Sequence, residues 1–137
     1  MDLTLLFSPV DEAVYSTITS TSSFFKNIQC YGEKMPDYKG AHLAIVGVSE
    51  TRGAGHHAGQ CQAPDEVRKK LYHLKRGTGS YRIVDLGNLK PGVDLDETYV
   101  RLSEVCRMLL EENVLPIIIG GSHDLDYGQY WAYERME

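Results

Sequence analysis

The sequence lacks most of the features that would assign it to a special class. It holds only 3 cysteines in 137 residues. Cys30, Cys61 and Cys106 are odd in number and widely spaced, which argues against a disulfide framework and fits reduced thiols in a cytoplasm. No apolar run approaches the roughly 20 residues that cross a bilayer; the longest are residues 44–48 and 114–119, so no membrane partner is expected. The first seven residues have no basic stretch and carry an acid at Asp2, unlike a secretory leader. Basic charge is in deficit, with 14 Lys plus Arg against 19 Asp plus Glu and a net charge of -5, which removes the electrostatic reason to expect nucleic acid. The dinucleotide fingerprint G-x-G-x-x-G fails at Ala58 after Gly53-x-Gly55, and Gly-x-Ser-x-Gly is absent. There is no internal repeat and no low-complexity segment.

What is present is an ordinary globular composition, 42% hydrophobic and 24% charged, which excludes a disordered or fibrous chain. A unit of this length buries roughly two thirds of the surface its unfolded chain exposes, so it is one domain or part of a larger one. Residues 1–40 read as a lead-in. A helix start at Ser8-Pro9-Val10-Asp11-Glu12 predicts a helix running to about Thr19. It is cut short by a Ser/Thr-rich stretch that competes for backbone hydrogen bonds.

From residue 41 a regular alternation begins. Residues 41–48 are continuously apolar, as in a strand buried on both faces of a parallel sheet. A glycine-bearing loop follows. Pro64, Asp65 and Glu66 then open a helix with Val67, Leu71 and Leu74 on one face and Lys69, Lys70, Lys75 and Arg76 near its end, which Gly77 closes. A second strand is expected over 81–86, broken by Gly87-Asn88. A long helix begins at Asp94 or Asp96, and its apolar positions Tyr99, Leu102, Cys106, Leu109 and Leu110 recur at helical spacing to about Asn113. Residues 115–119 form a third strand, and residues 126–136 another helix. This order of strands and helices predicts an α/β fold with a mainly parallel sheet.

In open α/β sheets the reactive groups lie beyond the carboxyl ends of the strands. That singles out residues 49–62, 87–91 and 120–126. In the third loop, two glycines permit a tight turn and bring His123, Asp124 and Asp126 within four positions. Imidazole and carboxylate suit manganese, zinc or iron. The plainer alternative is that Asp124 caps a helix, Asp126 complements its dipole and His123 bonds a carbonyl.

The run Val114-Leu115-Pro116-Ile117-Ile118-Ile119-Gly120-Gly121-Ser122-His123-Asp124 resembles the first metal-site motif of the ureohydrolase superfamily, which comprises arginases, agmatinases and formimidoylglutamases. Ala44-Ile45-Val46-Gly47-Val48, Ala63-Pro64-Asp65-Glu66-Val67-Arg68 and Asp85-Leu86-Gly87-Asn88 agree with it in order and spacing, so the resemblance covers residues 41–131. It implies a three-layer α/β/α fold and a site for two manganese ions, at which a bridging hydroxide attacks a guanidino or formimino carbon of a small molecule. Residue by residue, only His123 falls on a metal ligand. Ser122 stands where arginases carry an acid, and Asp124 follows the histidine as in formimidoylglutamases.

The resemblance also implies an Asp-x-His-x-Asp motif on the next strand and an Asp-x-Asp motif further on, and neither of those strands is found here. Residues 41–137 are therefore expected to be the N-terminal part of a longer hydrolase, cut after about three strands and inactive alone. Self-association through the unpaired sheet edge is expected. Adjacent His56 and His57 read as a solvated loop, although Arg52 or His57 would border a substrate pocket and meet a carboxylate there. The competing reading is a noncatalytic α/β module that binds a small anion or a protein, since helix N-termini after glycine turns hold anions without metal.

Overall fold

The computed structural model describes residues 2–53 and 62–136. Three main strands, β3 (Leu43–Val48), β4 (Ile83–Leu89) and β5 (Leu115–Gly120), form a parallel sheet. β3 lies between the other two and pairs in unbroken register with β5, from Leu43 opposite Leu115 to Val48 opposite Gly120. The continuous apolar run of β3 is explained by this central place, since nearly all of its residues are buried. Two further strands come from the first forty residues. β1 (Phe7–Ser8) runs antiparallel to the end of β4, and β2 (Gln29–Cys30) runs parallel to its start. Among the described residues the sheet therefore has five strands, two more than expected.

The helix expected to begin at Ser8 shrinks to one turn, α1 (Glu12–Tyr15), capped by the Asp11 side chain. Ser8 is drawn instead into the β1 ladder, because its partner Asn88 lies on the edge of β4. α2 (Ala63–Leu71) likewise stops before Gly77. Its continuation folds back on the lead-in: Phe24 N–H donates to the Leu74 carbonyl, Arg76 N–H to that of Ser22, and Ser23 bridges Lys75. Val67 and Leu74, expected on the apolar face, are exposed, while Arg68 is fully buried.

β4 begins later than expected and runs through Gly87-Asn88. Gly87 has φ +86°, a left-handed conformation that glycine adopts without a Cβ penalty. The bend is absorbed as a register shift against β3. α3 (Leu95–Glu111) follows its predicted pattern closely. Asp94 caps it by accepting from Glu97 N–H at 2.8 Å, and Asn113 ends it with φ 59°.

Helices cover both faces of the sheet, giving the three-layer arrangement. On one face Ala44, Val46, Val48, Val84 and Leu86 pack with Leu102, Val105, Cys106 and Leu109 of α3, alongside α4 (Asp126–Arg135). On the other lie α2 and a smaller cluster of Val10, Val14, Ile18 and Tyr72. No described helix is long and apolar enough to cross a membrane.

Candidate functional site

The parallel register brings the ends of β3, β4 and β5 to one edge, where residues 49–53, 90–94 and 121–126 emerge together. His123 opens a single 3-10 turn, His123–Leu125, that leads into α4. Its imidazole is exposed and has no hydrogen bond or ion pair with any described residue. It lines two hollows of about 210 and 360 Å³, the second shared with Asp126, Tyr127 and Tyr130. The carbonyl bond that would have made it a merely structural histidine is not formed with any described residue.

The two glycines ahead of it serve close approach rather than the tight turn expected. Neither has positive φ. A methyl group on Gly120 would press on the Val48 carbonyl at 2.8 Å, and one on Gly121 would overlap the Glu50 carbonyl. The backbone after β3 lies directly against the backbone after β5. Gly121 N–H donates to Val48 at 3.2 Å and Ser122 N–H to Glu50 at 3.0 Å.

Asp124 is not a helix cap. The capping positions of the 3-10 turn and of α4 fall on Ser122 and Leu125, and neither has a side-chain cap. The Asp124 carboxylate turns toward α3 and accepts from the Tyr99 hydroxyl, while its other oxygen is buried with no partner among the described residues. Burial, followed by this bond, raises the Tyr99 pKa above the ordinary range. Gly53 is packed against the same carboxylate, leaving no room for a Cβ. Asp126 is exposed at the start of α4, where its charge suits the helix dipole.

Arg52 stays 43% exposed along its side chain, yet its guanidinium turns back onto the protein's own acceptors. It donates to the Glu50 carboxylate through Nε at 2.9 Å and Nη2 at 2.5 Å, and to the carbonyls of Val93 and Gly92 at 2.8 and 2.9 Å. Glu50, buried at the end of β3, also accepts from the Thr98 hydroxyl at 2.9 Å. Arg52 first, with help from Thr98, holds the Glu50 pKa down at about 2 against the opposing effect of burial. His57 and His56 lie outside the described residues.

Sequence reasoning missed a second set of polar groups beneath this edge. Arg68 forms a bidentate pair with Asp85, both bonds 2.9 Å, and also reaches Asn88 at 2.6 Å and the Gly87 carbonyl at 2.9 Å. Tyr72 donates to the same carboxylate at 2.5 Å. The visible signal was an acid, Asp85, inside an otherwise apolar strand.

Among the described residues no three His, Cys, Asp or Glu side chains gather to hold a metal. The two Asp-x-Asp spacings in the chain, Asp94–Asp96 and Asp124–Asp126, both fall at helix starts. One uncommitted imidazole fits the contribution of a single ligand and does not fit a complete site.

The arginase family model matches residues 41–136. A formimidoylglutamase of Streptococcus pyogenes serotype M3 is 24% identical over 128 residues, which are 90% of this chain and 38% of that protein. One from serotype M5 is 28% identical over 98 residues, 68% of this chain and 30% of that protein. Among solved structures, a formimidoylglutamase from Bacillus subtilis superposes with a TM-score of 0.62 at 20% identity, covering 92% of this chain and 44% of the other. The agmatine ureohydrolase of Thermoplasma volcanium gives 0.64 at 19% identity, covering 89% and 41%. The structural likeness is one of fold. The chain spans less than half the length of each of these proteins.

Proposed function

The chain belongs to the arginase family, and on that premise we propose that it is the first-ligand portion of a manganese-dependent hydrolase acting on linear guanidino or formimino C–N bonds. The observation that supports this reading is the exposed, uncommitted imidazole of His123 at the carboxyl edge of a parallel sheet, within the family's first metal motif. Manganese, when bound, supplies Lewis acidity and an ionised water at neutral pH. The contribution of these residues is positional. β5 delivers His123 to the edge, the close glycine backbone fixes its turn, and the Asp124 carboxylate is engaged by Tyr99 of α3.

A single imidazole binds a divalent cation weakly, so the 137 residues alone are expected to be inactive. Asp124 after the histidine favours a formimino substrate, as in the formimidoylglutamases, and the site is proposed to work in the cytoplasm. Arg52 is proposed to shape the pocket wall, since most of its donors are engaged with Glu50 and the Gly92 and Val93 carbonyls.

The test is to add Mn(II) to the isotope-labelled chain and follow the His123 ring signals, alongside assays for urea and formamide release. Selective broadening at His123 without turnover is the expected result. Turnover by this chain alone would overturn the fragment reading. An unperturbed His123 would overturn the ligand assignment and favour the noncatalytic binding module.

A further inference from the structure

Two residues in sequence, Thr98 and Tyr99, leave the first turns of α3 toward two different loops. Thr98 bonds Glu50 in the segment after β3, and Tyr99 bonds Asp124 in the turn after β5. The loops also touch each other directly, because the Glu50 main-chain carbonyl accepts from Ser122 N–H at 3.0 Å and from Ser122 Oγ at 3.4 Å. Glu50 thus has two separate sets of partners. Its side chain is fixed to α3 and Arg52, and its backbone holds the residue next to His123.

We propose that Glu50 is a positioning residue for His123: its buried carboxylate, anchored by Thr98 and Arg52, sets the carbonyl on which the His123 turn hangs. This deepens the reading of His123 as the functional residue of that edge and rests on it for its purpose, though not for its geometry.

Several features support the assignment. Glu50 is 4% exposed, so its charge is held in one place by four donor contacts: Arg52 N–H at 3.1 Å, Arg52 Nε and Nη2, and the Thr98 hydroxyl. Thr98 is itself tied down, since its hydroxyl oxygen accepts from Gly92 N–H at 2.8 Å. Buried, fully bonded polar groups of this kind specify a single arrangement of the segments they join. Gly121 removes the Cβ that would push the Glu50 carbonyl away. The arrangement places His123 by backbone contact and leaves its ring free.

Backbone amide exchange reads this directly. Glu50→Gln keeps the shape and weakens the charge-assisted bonds; Thr98→Val removes the hydroxyl, and Thr98→Ser retains it. Loss of a charge-assisted hydrogen bond is expected to speed exchange at Ser122 and Gly121 by about tenfold or more. Thr98→Val should do the same, and Thr98→Ser should restore the wild-type rates. The His123 ring carbon and proton shifts should move in the first two variants and return in the third. Leu109→Ala, a core change on α3 far from these contacts, serves as a control for general loosening.

Unchanged Ser122 and Gly121 rates in Glu50→Gln and Thr98→Val would overturn the proposal. So would equal acceleration in Leu109→Ala. These outcomes are separate from the Mn(II) result: an unperturbed His123 in the metal titration removes the ligand assignment and leaves the amide rates to decide the positioning role.

Discussion

Arg68 and Asp85 carry full charges into a place where both side chains are 0% exposed. Removing water from two ions is costly, and it is tolerated here because every oxygen of Asp85 and most donors of Arg68 have partners. Removing one member leaves the other buried and unmatched. Asp85→Ala or Arg68→Met is expected to cost about 3–5 kcal/mol in urea unfolding. The double change should cost less than the sum of the two, as a double-mutant cycle would show. Glu50 gives the pH counterpart. Its folded pKa of about 2 lies below the ordinary 4.5, so its contribution to stability is complete above that ordinary value and is lost as pH falls through about 2. The difference in unfolding free energy between wild type and Glu50→Gln should therefore narrow as pH drops from about 4.5 toward 2. A difference that stays constant across that window would show that the carboxylate is not held ionised by Arg52 and Thr98.

At the level of elements, legibility followed how local the cause was. β3, β5 and α3 were readable because an apolar run, a capping Asp94 and a helical repeat each lie within one segment. α1, α2 and β4 departed from expectation wherever a distant segment competed for the backbone. Ser8 went to β4, residues 74–76 went to residues 22–24, and Gly87 continued a strand it was expected to break. The candidate site divides in the same way. His123 was visible from its motif, whereas the bond between Glu50 and Thr98 joins residues 48 apart that no spacing rule connects. Gly87 allows an element-level test. Its φ of +86° costs an L-residue about 1–2 kcal/mol, and a side chain there would also overlap the Ser8 carbonyl. Gly87→Ala should therefore loosen β1 as well as lower stability. The expected sign is faster amide exchange at Lys90, which donates to Leu6 across that pairing at 2.8 Å, by more than the fall in global stability accounts for.

On the scale of the whole molecule, the two faces of the sheet are covered unequally. The α3 face is closed, but on the α2 face Leu115 and Ile117 are 51% and 39% exposed. A hollow of about 400 Å³ lined by Leu43, Ile45, Val67, Leu71, Ile117 and other apolar side chains opens there. Among the described residues the same strand, β5, pairs only with β3, so its other edge offers backbone groups with no described partner beside an apolar surface. That combination favours pairing with another chain. Leu115, Ile117 and Ile119 share one face because strand side chains alternate, beside Leu43 and Ile45 in register. A charge at the middle of this row would oppose association without disturbing the α3 core. We propose that the 137 residues in isolation associate through this edge and face. Sedimentation velocity should show a mass that rises with concentration for wild type. Ile117→Lys should lower that mass toward the monomer while leaving Ser122 exchange unchanged. A wild-type mass that stays monomeric across the concentration range would show that the exposed face is tolerated in water, and would remove this surface as a cause of self-association.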